Sequence, residues 1–148
     1  MTDYQLLLQQ LLALTDGVPY TVTNLANAAA LLFDRLDGIN WAGFYLLKDG
    51  QLVLGPFQGK PACTVIPVGK GVCGTAAFEG RTLVVDDVHQ FPGHIACDSA
   101  SESEMVVPLF KDGAVAGVLD IDAPTLSRFT EADKVGLETF AKAVQDLL

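Results

Sequence analysis

Two Asp-Gly dipeptides constrain this chain more than any other feature. Asp49-Gly50 separates the run Asn40–Leu47 from Gln51–Leu54, and Asp112-Gly113 separates Met105–Phe110 from Ala114–Ile121. Asp-Gly accepts the positive φ angles of a tight two-residue hairpin, and the flanking runs carry the apolar, aromatic and branched residues of strands. Two such hairpins predict an antiparallel sheet. Further strands are expected at Thr64–Val68 and Thr82–Val85, with a loop at Phe57–Pro61 between the first hairpin and the third strand.

Helices bracket these strands. Residues Thr2–Leu14 place Tyr4, Leu7, Leu8, Leu11, Leu12 and Leu14 at helical spacing, and Thr15–Pro19 interrupts the pattern. A second helix is expected over Thr21–Leu36, capped by Thr21 or Thr23, with Leu25, Ala28, Ala29, Leu32, Phe33 and Leu36 on its buried face. A short helix, Val72–Glu79, follows a glycine-rich entry. Thr130 caps a last helix running to Leu147, with Glu131 and Asp133 in its first turn. His89–Glu102 reads as a long loop with a helical turn near Ile95. The pattern predicts an α+β fold: a central antiparallel sheet, N- and C-terminal helices on one face, and loops over the other. The apolar stripes read as core faces or, alternatively, as a dimer interface.

The chain has 148 residues, half of them hydrophobic, with no internal repeat, low-complexity tract or linker-like stretch. One domain over residues 1–148 is expected. The formal net charge of −9 argues against the cationic face that nucleic acids and anionic membranes require. Met1-Thr-Asp-Tyr4 lacks the basic start of a secretory signal, and Leu6-Leu7-Leu8 is broken by Gln9 and Gln10. A cytoplasmic protein is expected. Three cysteines are not a disulfide framework, so in a reducing compartment any disulfide is expected to be catalytic.

Gly69-Lys-Gly71-Val-Cys-Gly74 matches the spacing of a dinucleotide fingerprint, but the helix it opens is too short for a βαβ crossover and no second unit follows. What survives is a turn into a helix N-terminus whose backbone N–H groups can hold an anion such as a carboxylate. Cys73 stands in that first turn, where the helix dipole is expected to favour its thiolate. Cys63, Cys73 and Cys97 are separated by 10 and 24 residues, without C-x-x-C or paired-histidine spacing, so no metal is expected. They could be inert core thiols. Two of them lie beside glycines and turn residues, however, and His94 precedes Cys97 by three, close enough in a helical turn to favour a thiolate. Asp120 and Asp122 project from one face of a strand in which Val118 and Ile121 read as buried. They are either a solvated outer face or paired acids for a substrate ammonium. With Glu104 nearby, one of the set could be pushed up in pKa to donate a proton. Trp41 and Tyr45 read as core aromatics or as a wall for an alkyl group.

Pro61-Ala-Cys63, Gly69–Ala76, Val85–Asp98 with its Phe91-Pro-Gly-His-Ile-Ala-Cys97 core, Ser103-Glu104 and Leu119–Asp122 together resemble the free methionine-(R)-sulfoxide reductases, a family of GAF-domain enzymes. The resemblance runs over essentially the whole chain, and all three cysteines stand in the expected contexts. It implies that Cys97 attacks the sulfoxide sulfur and becomes a sulfenic acid. Cys63 or Cys73 then resolves it as a disulfide, Cys63 being favoured, and a thioredoxin-like dithiol reduces that disulfide. It implies that Glu104, Asp120 and Asp122 bind the substrate amine and hydrogen-bond the sulfoxide oxygen, Glu104 and Asp122 sharing in catalysis, while Trp41 and Tyr45 line the methyl pocket. It places the substrate carboxylate on backbone N–H groups near Val72–Gly74. It implies a homodimer and neither metal nor organic cofactor. The alternatives are a GAF-type redox sensor that binds a small ligand, against which the lack of an output domain argues, and a thiol peroxidase.

Overall fold

The structure is a computed structural model and describes residues 1–95 and 100–148. In chain order the elements are α1 (Tyr4–Thr15), α2 (Thr21–Arg35), β1 (Trp41–Lys48), β2 (Gln51–Gly59), β3 (Val65–Pro67), α3 (Gly71–Glu79), β4 (Leu83–Val85), β5 (Ser103–Lys111), β6 (Ala114–Ala123) and α4 (Glu131–Gln145). The strands form one six-stranded sheet in the order β3-β2-β1-β6-β5-β4, with every neighbouring pair antiparallel. Both Asp-Gly turns carry two successive positive φ angles, at Asp49 and Gly50 and at Asp112 and Gly113, as the tight hairpin requires.

Side-chain alternation splits the sheet into two apolar layers. Ala42 and Phe44 of β1, Leu119, Ile121 and Ala123 of β6, and Met105, Val107 and Leu109 of β5 face one way. Against them pack Leu7 and Leu11 of α1, Leu25, Ala28 and Leu32 of α2, and Leu137, Phe140 and Val144 of α4. Trp41, Tyr45, Val106 and Val118 face the other way and meet Val72, Cys73, Ala76 and Ala77 of α3. The face expected to lie under loops thus carries a helix as well. Truncating a core leucine such as Leu11 to alanine costs about 2–5 kcal/mol.

Several expected features differ in detail. The first hairpin does not stop at Leu54: β2 continues through Gly55-Pro56-Phe57 to Gly59. Register slips between Gly43 and Tyr45, whose partners are Phe57 and Leu54, so one extra residue of β2 is accommodated beside Phe44. A bulge is where a strand can carry a proline that lacks an N–H. α2 has no threonine cap. Tyr20 holds the cap position without a side-chain bond, and Thr21 Oγ1 instead donates to the Leu147 carbonyl (3.1 Å). Phe33 is exposed rather than buried, as are Leu12 and Leu14 of α1. The long loop before β5 carries a single 3₁₀ turn over Val88–Gln90, and His94 and Ile95 are not helical; the rest of the turn expected near Ile95 lies outside the described residues. α4 starts as predicted. Thr130 Oγ1 accepts from the Asp133 N–H (3.2 Å) and the Asp133 carboxylate accepts from the Thr130 N–H (2.8 Å), a reciprocal cap.

Candidate active site

The strand register assembles the candidate residues. Trp41 lies opposite Asp122, Gly43 opposite Asp120, Glu104 opposite Asp122, and Val106 opposite Asp120. Facing residues on neighbouring antiparallel strands share a side of the sheet. Trp41 and Tyr45 of β1, Glu104 of β5, and Asp120 and Asp122 of β6 therefore project into one cleft. The start of α3, from Lys70 to Cys73, roofs it, and Pro61 with Ala62 and His94 with Ile95 close its sides.

The electrostatics of this cleft are unusual in a chain that carries nine more acids than bases. Glu104 and Asp120 are buried, and neither forms a salt bridge with a basic side chain among the described residues. Burial first, and then the Asp120 charge, pushes the Glu104 carboxyl well above its usual range. Burial and then the Asp122 charge do the same to Asp120. Carboxyls so placed are coupled, and burial favours their neutral, protonated forms. Asp120 Oδ1 is buried with no hydrogen-bond partner, an acceptor left over for a ligand. The cleft thus offers both a proton donor and a seat for an ammonium group.

Cys73 behaves against expectation. Its thiol lies buried in the first turn of α3, 3.9 Å from Glu104 Oε2. Burial, and then the charges of Asp120, Glu104 and Asp122, push its pKa up. Desolvation and three carboxyls outweigh the helix dipole, so Cys73 is held as a thiol rather than a thiolate. Cys63 is half-buried and disulfide-bonded, whereas Cys73 is free. Cys97 and Asp98 lie outside the described residues, and with them the expected pairing of Cys97 with His94. The described His94 is not helical. Its N–H donates to the Phe91 carbonyl (3.2 Å), and burial followed by the nearby His89 lowers its pKa.

Among the described residues, two sets of donors lie close enough to hold a cation. Cys73, Glu104 and Asp120 present ligand atoms within 4.8 Å of one another, as do Asp87, His89 and Glu102. The first set would have to release protons that burial holds in place. The second is a surface cluster in which His89 Nδ1 lies 3.3 Å from Asp87 Oδ1 and 3.6 Å from Glu102 Oε2. Sequence reasoning missed Ser101 and Lys70 as lining residues. Asn40 Nδ2 donates to Ser101 Oγ (3.4 Å), tying the start of β1 to the loop before β5 across 61 residues. No local pattern marks such a pair.

Sheet order, helical layers and cleft define a GAF domain, and the GAF domain family model matches residues 21–148. The chain belongs to that family. Within it, this chain is 53% identical to the free methionine-R-sulfoxide reductase of Escherichia coli over 136 residues, 92% of this chain and 82% of that protein. The reduced form of fRMsr of Staphylococcus aureus superposes with a TM-score of 0.97 at 56% identity, covering 100% of this chain and 96% of that one. The same protein in complex with substrate gives 0.95 at 55%, covering 100% and 97%. The chain is a member of the free methionine-R-sulfoxide reductase family.

Proposed function

We propose that this chain, acting as one catalytic domain over residues 1–148, reduces free methionine-(R)-sulfoxide to methionine. The observation that carries the chemistry is the buried acid cluster: Glu104 and Asp120 pushed toward protonation beside an unpartnered Asp120 oxygen. A sulfoxide oxygen is a poor leaving group until it is protonated, and a carboxyl with a raised pKa supplies that proton at neutral pH.

In this reading the Cys97 thiolate attacks the sulfoxide sulfur while Glu104, assisted by Asp122, protonates the oxygen. Methionine leaves and Cys97 becomes a sulfenic acid, the sulfur of the substrate gaining the two electrons that Cys97 loses. Asp120 and Asp122 hold the ammonium group. Backbone N–H groups at the start of α3 hold the carboxylate, and Trp41 and Tyr45 wall the methyl group. Selection for a free amino acid follows, because a residue inside a peptide has neither charge. The Cys63 thiol then displaces water from the sulfenic acid and forms a disulfide, which a thioredoxin-like dithiol reduces. Two observations support Cys63 over Cys73 as resolver: Cys63 is disulfide-bonded, and Cys73 is a buried thiol whose pKa is pushed up. The enzyme would act as a homodimer in the cytoplasm; no described helix is long and apolar enough to cross a membrane.

The mechanism is tested with free methionine-(R)-sulfoxide and a dithiol, either dithiothreitol or thioredoxin. Cys97→Ser is expected to abolish methionine formation, and Cys63→Ser to retain a stoichiometric burst while losing turnover with thioredoxin. Full steady-state activity in Cys97→Ser would overturn the reading.

A further inference from the structure

The two aromatic side chains assigned to the substrate wall have a second attachment. The Trp41 indole stacks on Tyr45 (ring centroids 6.0 Å) and on Phe57 (5.2 Å). The backbone makes room for it. A β-carbon on Gly43 would run into Phe57 and the indole, and one on Gly59 would lie 2.7 Å from Trp41 Cδ1. An aromatic ring laid over cross-strand glycines is a fixed strut rather than a mobile side chain. The polar tips of the strut both point at the segment that follows β2. Trp41 Nε1–H donates to the Lys60 carbonyl (3.1 Å), and the Tyr45 hydroxyl donates to the Cys63 carbonyl (2.9 Å). Each donor has one hydrogen to give, so in this state both are spent on the backbone that carries Cys63. Tyr45 is therefore not available here as the proton donor to a sulfoxide oxygen.

We infer that Trp41 and Tyr45 are positioning residues for the recycling half of the reaction: they pin the Lys60–Cys63 strap so that the Cys63 thiol stays within reach of the oxidised cysteine. This rests on the reading of Cys63 as resolver. At its far end the strap is tied to β2, where the Leu54 N–H donates to the Thr64 carbonyl (2.9 Å). A looser strap lowers the effective concentration of one thiol at the other and so weakens the disulfide.

The test is the equilibrium of the Cys63 disulfide with glutathione. Two glutathione thiols give two electrons and two protons to the disulfide, leaving two protein thiols and glutathione disulfide. Thiol alkylation and mass spectrometry read the oxidised fraction at each glutathione ratio. Tyr45→Phe keeps the ring and removes only the hydroxyl. One hydrogen bond is worth roughly a three- to tenfold change in an equilibrium constant, which for this two-electron couple is about 15–30 mV toward easier reduction. Trp41→Phe, which removes the indole N–H, is expected to shift the potential in the same direction. A potential reports only a difference between oxidised and reduced protein, so a variant that weakens both states equally leaves it unmoved. An unchanged potential in both variants, or a shift toward harder reduction, overturns the inference. A wild-type protein that forms no Cys63 disulfide at any glutathione ratio overturns instead the assignment of Cys63 as resolver.

Discussion

At the scale of single residues, the cleft sets three acids against the cost of burying them. Isolated buried carboxylates are destabilising, so the pair Glu104 and Asp120 shifts upward in pKa and retains protons. The sign of the linkage follows. A carboxyl whose pKa is higher in the folded than in the unfolded state contributes stability that is complete below its ordinary value, near 4.3 for Glu, and is lost as pH rises toward the folded value. The melting temperature is therefore expected to fall between pH 5 and pH 8, and more shallowly in Glu104→Gln. The same substitution removes the proposed proton donor and is expected to lower kcat on the order of 100-fold or more, and to flatten the alkaline limb of the wild-type pH–rate profile. A Glu104→Gln enzyme with wild-type kcat and pH profile would count against Glu104 as the donor. The i, i+2 spacing of Asp120 and Asp122 was enough to place both on one face. Two facts lay beyond any spacing: the β5–β6 register that sets Glu104 opposite Asp122, and that Cys73 is held as a thiol, which depends on what α3 packs against.

At the scale of elements, local chemistry was most legible where a turn or cap is self-contained. Both Asp-Gly hairpins and the Thr130–Asp133 cap follow from a few adjacent residues. The second strand was expected to end at Leu54, yet cross-strand pairing with β1 carries β2 past Gly55-Pro56 at a bulge. The apolar stripe of α1 overstated burial. Leu7 and Leu11 reach the core, while Leu12 stays 54% and Leu14 45% exposed. On α2, Val22 is 69% exposed. Exposed aliphatic side chains on the helical layer are what the proposed homodimer would cover. Sedimentation is expected to show a dimer at micromolar concentrations. The double variant Leu12→Glu, Leu14→Glu is expected to shift it to monomer while leaving the fold intact, because neither side chain reaches the core. A wild-type monomer under the same conditions would remove the dimer from this account.

At the scale of the molecule, the candidate site exists only when the whole sheet has formed. Its described walls come from residues 41–45, 61–62, 70–73, 94–95, 101–104 and 120–122, which the sheet order brings together by pairing β1, near the start, with β6, near the end. Motifs in the sequence pointed to most of these segments. Their convergence is tertiary, because neighbouring β1 and β6 are separated in the chain by four other strands and α3. The acidic surface adds a long-range field that favours a cationic group at the cleft, whereas in the proposed reading the carboxylate of a free amino acid would depend on the N–H groups of α3. Demanding both charges is the central claim. The most direct measurement is methionine release with dithiothreitol from three substrates side by side: free methionine-(R)-sulfoxide, its (S) epimer, and a peptide carrying the (R) sulfoxide internally. The account predicts turnover of the free (R) form alone. Comparable turnover of the peptide, or none of any sulfoxide, would contradict it.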